Sequence, residues 1–523
     1  MSTTTWGQKS ILLALITFSL FFHLWQLGTL PLYDYDEAQY AIVVKDTIRG
    51  GDFWSLKRFG EDWIDKPPLL FWLTAGSVKV LGENEFAMRL PSALFGVAAV
   101  YGVYLLTRTL TNNFTVAVLS GFILLFSGIF PAAARQLRLD VPLSAAMIFG
   151  LWGFIRGWKN KNWYLLSAPQ KTTGLPVDEC GFLGRDSAPA GKPSGLTVKN
   201  GYHGLARWAP FWFFLGIGVM LRSFPALLLV PVILIFSAVY KEWRWLRDWY
   251  FWLGTIIFLI IILPWHLRES IKFGKDFWDV YLVRHVFERV AAPILGGSVT
   301  TRSYLKQLLL LNEPWFLAAI GGGLWIFWRR LGQLPERRLA LASLFSALFI
   351  FITFAISRTK LIFYLIPLFP FEGMLVSSLG GVWYRSIRQS ITGRYAVVAV
   401  FAALLLLGAL STYYQLFISN VPYSYPYAKE EKEIGLFIKK NDQGHALYSF
   451  DWSSFDTIYY YSGRKYIERV ERESLKMGFR PPYFLIMPRP YLKNTAQPGL
   501  TIPFSGQYLV LLEAQADNSG VDK

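Results

Sequence analysis

The chain has 523 residues, of which 53% are hydrophobic and 17% aromatic, and its formal net charge is +17. A soluble protein of this composition would expose too much apolar surface to water, so an integral membrane protein is indicated. The basic residues are scattered between apolar stretches rather than gathered in one domain, which argues against a nucleic-acid partner. The single cysteine, Cys180, excludes an intrachain disulfide and a cysteine-based metal site.

Apolar stretches of roughly 20 residues, the length that crosses a bilayer, recur along the chain. We predict an all-α polytopic membrane protein with about 11–13 transmembrane helices. Eleven spans can be placed, at 11–28, 90–107, 114–132, 141–157, 208–221, 224–240, 249–265, 314–328, 339–356, 361–379 and 396–412. No small-x-small cleavage site follows the first span, which favours a retained helix over a signal peptide. The apolar segment Pro67–Val80 is too short to cross and is predicted to be an interfacial helix.

The short connections between spans set the orientation. Arginines fall in every second connection, at Arg244 and Arg247, at Arg329, Arg330, Arg337 and Arg338, and at Arg385, Arg388 and Arg394. By the positive-inside rule these connections are cytoplasmic, and the N-terminus is cytoplasmic as well. The loop 29–89 and most charged residues of chemical interest then lie on the extracytoplasmic side.

Two more regions lie outside the predicted spans. Residues 167–206, within the transmembrane domain 1–412, are rich in Gly, Pro, Ser and Lys, which is typical of a flexible insertion, here cytoplasmic. Residues 413–523 have the composition of a soluble domain, and we predict a small extracytoplasmic α/β domain. Its predicted elements are a helix at Lys429–Lys440 and strands at Ala446–Phe450, Tyr483–Met487 and Tyr508–Leu512.

Three carboxylates, Asp34, Asp36 and Glu37, lie within four positions after the first span. A carboxylate at this surface could accept a proton from an attacking hydroxyl or amine as a general base. The alternative is a solvated helix start, with Asp36 as the cap and Glu37 in the first turn.

Two more charged positions follow at predicted span boundaries. Lys66 precedes a stiff Pro-Pro pair, where a lysine suits a lipid phosphate or is a side chain reaching from an amphipathic segment into water. Asp140 follows Arg138, and an aspartate at a span boundary is costly unless it is paired or functional. An ion pair with Arg138 is the simpler interpretation.

A third group of candidates follows the sequence Pro264-Trp265-His266. Phe277, Tyr281, His285 and Arg289 recur every four residues, which predicts one helical face. Tyrosine, imidazole and guanidinium on one face suit a phosphate or a metal-bound phosphate, although a single histidine is more often structural.

Arg222, Arg358 and Lys360 each resemble ordinary cations at the ends of spans. Together with the other candidates they predict a site for an anionic, membrane-borne substrate on one face. The chain has neither a Walker phosphate loop nor a Rossmann glycine fingerprint, so no nucleotide cofactor is predicted.

Several short motifs occur in the order found in one known group. They are Asp36-Glu37-Ala38-Gln39-Tyr40-Ala41, Lys66-Pro67-Pro68-Leu69, Arg89-Leu90-Pro91-Ser92-Ala93-Leu94, Leu139-Asp140, Pro264-Trp265-His266 and Lys360-Leu361 through Pro367-Leu368-Phe369-Pro370. The sequence resembles the membrane glycosyltransferases of the C-type fold. It is most similar to the branch that contains aminoarabinose transferase of lipid A (glycosyltransferase family 83) and the dolichyl-phosphate-mannose-protein mannosyltransferases. The resemblance extends over residues 10–380.

The resemblance implies a multi-pass enzyme of the prokaryotic plasma membrane. Such an enzyme transfers a sugar, with inversion, from a polyprenyl-phosphate carrier to an extracytoplasmic lipid, glycan or protein. A transporter or flippase of lipid-linked sugars is the alternative, and it predicts inverted repeats that we do not find. A non-catalytic membrane scaffold is the third reading, and it predicts that Asp36 and Lys66 are dispensable.

The resemblance also implies roles for individual residues. Asp36 corresponds to the family's first acidic position, a base or acceptor-positioning group with Glu37 beside it, and Asp140 to the second. Lys66 corresponds to the carrier-phosphate lysine. The remaining expected residues are Arg289, Arg138 and Lys360 for the phosphate, Tyr35, Tyr40 and Tyr281 for the substrate, and Asp65 and His285 for the divalent metal that many members use.

Two departures from the family pattern concern the identity of the substrate. Where relatives often have Lys-Gly-Pro between spans five and six, this chain has Arg222-Ser223-Phe224-Pro225. The insertion at 167–206 has no counterpart that the resemblance explains.

Overall fold

The computed structural model describes residues 6–159, 200–288, 300–328, 334–387, 390–419, 427–442, 444–452, 455–471, 479–494 and 500–515. Eight of the described helices are long and apolar enough to cross a membrane, so the chain is a polytopic membrane protein. A ninth crossing results if Thr301–Leu311 and Trp315–Ile326, which are bent by 108°, form one broken span.

The described α-helices cover both the membrane domain and the loops that flank it. They are α1 (Trp6–Leu24), α2 (Asp36–Gly50), α3 (Leu69–Leu81), α4 (Glu85–Thr111), α5 (Phe114–Leu125), α6 (Ile129–Ala134), α7 (Asp140–Lys159), α8 (Asn200–Arg222), α9 (Leu229–Tyr240), α10 (Trp249–Leu253), α11 (Thr255–Phe273), α12 (Lys275–Trp278), α13 (Thr301–Leu311), α14 (Trp315–Trp328), α15 (Pro335–Ile356), α16 (Phe369–Ser386), α17 (Ile391–Tyr413), α18 (Ala428–Asn441) and α19 (Asp456–Ser462). Short 3₁₀ segments occupy Phe224–Leu228, Arg244–Arg247, Ile362–Leu368 and Arg489–Asn494, and π-helical segments occupy Asp279–Glu288 and Tyr414–Ile418.

Each of the eleven predicted spans coincides with an apolar helix or helix pair. Three of these segments, α5, Phe224–Tyr240 and α14, are not among the eight crossing helices, and α14 crosses only if it forms one broken span with α13. After α5 the chain turns at Gly128, whose φ of 50° is left-handed. A Cβ at this position would lie 2.9 Å from the carbonyl oxygen of Leu311, so the turn needs glycine for both conformation and space.

Asparagines set the ends of α4. The side chain of Asn84 accepts a hydrogen bond from the Ala87 N–H at 2.9 Å and caps the N-terminus of this helix. Asn112 ends α4 in a left-handed conformation, and Asn113 caps α5 by accepting from the Val116 N–H at 3.3 Å. A tight Asn-Asn turn therefore joins two packed helices.

Helices α7 and α8 pack closely and run in opposite directions. A Cβ on Gly153 would lie 2.7 Å from the backbone nitrogen of Phe211, so only glycine allows this approach. Asp140 at the start of α7 meets Arg222 at the end of α8. Lys159 and Asn200 therefore lie at the other end of the pair, about 30 Å away for a 20-residue helix.

The loop after α1 is ordered rather than extended. It contains α2, a short antiparallel hairpin of β1 (Lys57–Arg58) and β2 (Glu61–Asp62), and α3, which confirms the helix predicted at Pro67–Val80. The end of α11 holds the loop through ion pairs, Arg268 to Asp52 at 3.2 Å and Lys272 to Asp62 at 2.9 Å.

The start of α2 differs from the capping interpretation. Asp36 is the first helical residue, and Tyr35 occupies the cap position without a side-chain capping bond. Tyr35 has a φ of 63° and a ψ of −127°, a combination that side chains with a Cβ rarely adopt. The chain therefore bends sharply just before Asp36.

The C-terminal domain contains a five-stranded sheet with the order β4-β3-β5-β7-β6. The strands are β3 (Ala446–Phe450), β4 (Glu468–Val470), β5 (Tyr483–Pro488), β6 (Leu500–Ser505) and β7 (Leu509–Ala514). β3 pairs in parallel with β4 and β5, whereas β7 is antiparallel to β5 and β6. The predicted helix and three predicted strands are confirmed as α18, β3, β5 and β7. The sequence analysis missed β4, β6 and α19.

Candidate active site

A cavity of about 250 Å³ lies where α3 and α7 begin and where α8 and α15 end. Its charged and hydroxyl-bearing lining residues are Asp65, Lys66, Asp140, Arg222, Ser223, Tyr281, Thr353, Ser357 and Tyr364. Its apolar lining residues are Leu143, Phe224, Pro225, Leu228, Phe354 and Pro367. Charged groups and an extensive apolar wall thus share one cavity, which suits an amphiphilic ligand with an ionic group.

Two of the predicted acidic positions are joined by one arginine. The Arg138 guanidinium donates to Asp36 Oδ2 at 2.9 Å and to Asp140 Oδ2 at 3.3 Å. Asp140 also forms a direct ion pair with Arg222. Arg138, predicted as a phosphate ligand, is therefore already engaged by carboxylates, and its guanidinium lies 3.5 Å from the centre of the Phe363 ring.

The two carboxylates differ in exposure. The side chain of Asp36 is 40% exposed, whereas that of Asp140 is 3% exposed. A general base must reach the proton that it removes, so Asp36 fits this role better than Asp140. Asp140 instead fits a role in orienting Arg222 and Arg138 at the cavity wall.

Glu37 does not line the cavity and is 1% exposed. Its two carboxylate oxygens accept from Arg89 at 2.8 and 2.9 Å, and also from the backbone N–H groups of Leu137 and Tyr33. Arg89 in turn donates to three carbonyl oxygens of the segment 27–31. This geometry favours a structural role for Glu37, as an anchor of the loop, over the catalytic role predicted above.

Lys66, predicted for the carrier phosphate, and Asp65, predicted for a metal, both line the cavity. Lys360 does not line it. Its Nζ donates to the carbonyl oxygen of Ser357 at 2.7 Å, at the rim of the cavity. Of the predicted phosphate ligands that are described, Lys66 is the one placed on the cavity wall, and Arg222 joins it there.

Tyr281 lines the cavity and is held by a histidine. Its hydroxyl lies 2.9 Å from His266 Nε2, while His266 Nδ1 lies 2.8 Å from the Ile262 carbonyl oxygen. Because a carbonyl can only accept, Nδ1 carries the proton and Nε2 accepts from the tyrosine. Burial raises the pKa of Tyr281, so its hydroxyl stays protonated.

The predicted helical stripe is only partly reproduced. Phe277 and Tyr281 stack at 4.9 Å, but the chain is π-helical from Asp279 to Glu288, so a spacing of four no longer keeps one face. The side chain of His285 and the whole of Arg289 lie outside the described residues, and their predicted roles stay predictions.

The other two predicted tyrosines lie in different surroundings. Tyr35 is 59% exposed beside Asp36, where a substrate could contact its ring. Tyr40 is 6% exposed and packs edge-to-face against Trp63 and Phe71, which is the environment of a core residue. Burial raises the pKa of Tyr40 well above its usual value.

The described residues do not assemble a site for a divalent metal. Within the part of the chain that the structure describes, no three His, Cys, Asp or Glu side chains group closely enough to hold an ion. Asp65 shares its cavity wall with Lys66, and Asp140 is occupied by two arginines. We therefore derive no chemical step through a metal.

Tyr364 and the His266–Tyr281 pair were not predicted from the sequence. Arg222 resembles an ordinary cation at the end of a span, although its place in the departure from Lys-Gly-Pro is a signal. Its guanidinium lies 5.4 Å from the centre of the Tyr364 ring, which fixes it over the cavity.

A family model described as dolichyl-phosphate-mannose-protein mannosyltransferase matches residues 65–175, which include Lys66 and Asp140. The undecaprenyl phosphate-alpha-4-amino-4-deoxy-L-arabinose arabinosyl transferase 2 of Pseudomonas fluorescens is 26% identical over 413 residues, which are 77% of this chain and 63% of that protein. An uncharacterized protein of Aquifex aeolicus is 25% identical over 368 residues, 69% of this chain and 62% of that one. The chain thus spans less than two thirds of the length of these curated relatives.

Two solved structures share the fold. ArnT from Cupriavidus metallidurans bound to undecaprenyl phosphate superimposes with a TM-score of 0.66 at 17% identity, over 96% of this chain and 98% of that one. The oligosaccharyltransferase of Archaeoglobus fulgidus gives a TM-score of 0.55 at 12% identity, over 91% of this chain and 68% of that one. The chain therefore has the C-type fold that these two solved structures share. Its sequence is similar to that of the aminoarabinose transferases and, over residues 65–175, to the dolichyl-phosphate-mannose-protein mannosyltransferase family model.

Proposed function

We propose that this protein transfers a sugar, with inversion, from a polyprenyl-phosphate carrier to an acceptor on the extracytoplasmic side of a bacterial plasma membrane. One observation supports this most strongly: Lys66 and Arg222 line the same cavity as a long apolar wall. A polyprenyl-phosphate sugar needs both features, since its phosphate is anionic and its tail is apolar.

The phosphate side and the acceptor side of the site have different roles in the reaction. A hydroxyl or amine of the acceptor attacks the anomeric carbon, and the bond from that carbon to the phosphate oxygen breaks. The phosphate leaves with the electron pair, and Lys66 and Arg222 stabilise its growing charge. Asp36 takes the proton of the attacking group, because its carboxylate retains the exposure that Asp140 lacks.

Arg138 couples the two halves of this arrangement. It bonds to Asp36 on the exposed side and to Asp140 on the cavity side. One guanidinium group therefore sets the distance between the base and the wall that carries Arg222. Fixed charges of this kind need no rearrangement when charge develops in the transition state.

The similar proteins indicate which class of carrier lipid the sugar donor contains. The Pseudomonas relative is named for undecaprenyl phosphate aminoarabinose, and the Cupriavidus structure has undecaprenyl phosphate bound. We infer a carrier of the undecaprenyl-phosphate class for this protein, with a lipid, glycan or protein as the acceptor.

A transfer assay tests this function. Proteoliposomes that contain the protein and membrane acceptors receive a panel of labelled undecaprenyl-phosphate sugars. Asp36→Asn is compared with Glu61→Gln, an exposed carboxylate of β2 in the same loop. We expect label in an acceptor with the wild type and Glu61→Gln, and at least about a 100-fold loss with Asp36→Asn.

Two results would contradict the proposal. Transfer by Asp36→Asn at the wild-type rate would remove the assigned base. Movement of labelled donor across the bilayer without transfer to any acceptor would identify a flippase instead.

A further inference from the structure

Helix α19 of the C-terminal domain docks on the segment that leads into Asp36. The Thr457 N–H donates to Asp34 Oδ1 at 3.2 Å, and the Thr457 hydroxyl donates to the Leu32 carbonyl oxygen at 3.4 Å. The Tyr461 hydroxyl accepts from the Leu32 N–H at 3.0 Å and donates to Glu85 Oε1 at 2.8 Å. The backbone N–H and carbonyl groups of Leu32 are thus both hydrogen-bonded by a domain that lies more than 400 positions away in the sequence.

Charged contacts lock this docking at its edges. Arg58 of the hairpin pairs with Asp456 at 2.6 Å, and Lys45 of α2 donates to the Tyr460 carbonyl oxygen at 3.3 Å. Lys432 of α18 pairs with Glu85 at the start of α4. The C-terminal domain is therefore held on the loop from three different elements.

The docked segment contains the bend at Tyr35. A residue with a Cβ is strained in this conformation, which persists only when its surroundings hold it. On the far side of the bend, Glu37 is anchored by Arg89. On the near side, Leu32 and Asp34 are anchored by α19. Asp36 lies between these two anchors.

We propose that α19 is a positioning element of the transferase, acting through Tyr461 and Thr457 on the bend that presents Asp36 to Arg138 and the acceptor. This inference rests on the proposed function. Neither residue lines the cavity, so neither is a catalytic residue. The C-terminal domain thereby contributes to the geometry of the active site by holding Asp36 in position.

A positioning role for α19 predicts a different experimental result from a role that only stabilises the fold. If α19 only stabilised the fold, its loss would lower the amount of active protein and leave the turnover of each folded molecule unchanged. A displaced base instead lowers kcat while the donor, bound at Lys66 and Arg222, keeps its KM.

The test uses the full-length protein in nanodiscs. Tyr461→Phe removes both hydrogen bonds of the hydroxyl, and Asp34→Ala removes the acceptor for the Thr457 N–H. Tyr448→Phe is the matched control, since Tyr448 lies on β3 of the same domain and its ring stacks on Phe479. Each variant is measured for kcat, donor KM and hydrogen exchange of residues 30–42.

We expect Tyr461→Phe and Asp34→Ala to lower kcat about 10-fold, with donor KM within about twofold of wild type. Hydrogen exchange should rise in the segment 32–36 and remain unchanged elsewhere. Wild-type kcat and exchange in both variants would overturn the proposal, as would a rise in exchange over the whole chain. If the wild type transfers no sugar at all, the proposed function fails, and the exchange of segment 32–36 still decides whether α19 holds the bend.

Discussion

At the scale of single residues, the cations predicted for the carrier phosphate differ in their position relative to the cavity. Lys66 lies on the wall. Lys360, predicted for the same task, bonds to the Ser357 carbonyl oxygen at the rim. Arg138 is shared between two carboxylates. The strength of a phosphate contact should therefore differ sharply between Lys66 and Lys360.

This difference is testable with two alanine variants. Lys66→Ala should raise the donor KM roughly 10- to 100-fold, because a hydrogen bond to a charged group contributes about 1.5–3 kcal/mol. Lys360→Ala should change it by less than about threefold and serves as the matched control. Steady-state transfer at varied donor concentration measures both. Equal effects of the two substitutions would contradict the assignment of Lys66 to the phosphate.

The sequence identified Asp36, Asp140 and Lys66 because each follows or precedes a recognisable span boundary or motif. It could not show which charges pair, since Arg138 and Asp36 are separated by about 100 positions and meet only in the folded chain. For the same reason Glu37 was predicted with the catalytic group. Its neighbour Arg89 was visible only as part of a motif, and not as the partner that fills its oxygens.

At the scale of elements, the interface of α18 and α19 with the first loop encloses acidic side chains. Burial, and next the nearby carboxylate of Asp34, raises the pKa of Glu431 to about 8. Burial also raises the pKa of Asp456 to about 6, although Arg58 opposes this shift. Both carboxyl groups therefore hold their protons more tightly in the docked domain than they would in water.

The stability of this docking should consequently depend on pH. The pKa of Glu431 is higher in the folded state, at about 8, than its ordinary value of 4.5, so the folded state binds the extra proton. The stability contributed by this proton is complete below pH 4.5 and is lost as the pH rises through 8. The unfolding temperature of the wild type should therefore fall as the pH rises from 4.5 to 8.

Glu431→Gln should remove that decline, because glutamine is neutral and keeps an oxygen for the Trp452 indole N–H, now bonded at 3.2 Å. We expect a gain of about 4 kcal/mol over wild type at pH 8 and about 1 kcal/mol at pH 5. Glu433→Gln, on the exposed face of the same helix, is the control. A parallel pH profile for wild type and Glu431→Gln would refute the prediction.

Helices and strands were predicted best where a single hydrophobic pattern extended over the whole segment. Apolar length placed the eight crossing helices, whereas the four-residue stripe from Phe277 is reproduced only as far as Tyr281, because the chain is π-helical from Asp279. The sequence pattern does not reveal this change, because the spacing of side chains along 277–289 fits an ordinary α-helix. The edge strand β4 has only three residues, too few to show alternation.

At the scale of the whole molecule, the pairing of α7 with α8 divides the protein into two faces. Asp140 and Arg222 meet at the cavity, so Lys159 and Asn200 lie at the opposite ends of the same helices. The C-terminal domain contacts Leu32 and Asp34 on the cavity side. The cavity and this domain therefore share one face, and the connection between α7 and α8 starts and ends on the other.

Cysteine labelling can determine which face is extracytoplasmic. Cys180 is the only cysteine and belongs to the predicted cytoplasmic insertion, outside the described residues. The second probe is Lys465→Cys in a Cys180→Ser background, at an exposed position of the C-terminal domain. A membrane-impermeant maleimide is applied to intact spheroplasts and to opened membranes.

We expect Lys465→Cys to react in intact spheroplasts and Cys180 to react only after the membranes are opened. This pattern would place the cavity, with Asp36 and Lys66, on the side where a lipid-linked donor delivers its sugar outside the cell. The reverse pattern would keep the fold and the pairing of α7 with α8 but move the whole site to the cytoplasm. Reaction of both cysteines from the same side would contradict the division into faces itself, since α7 and α8 could not then both cross the bilayer.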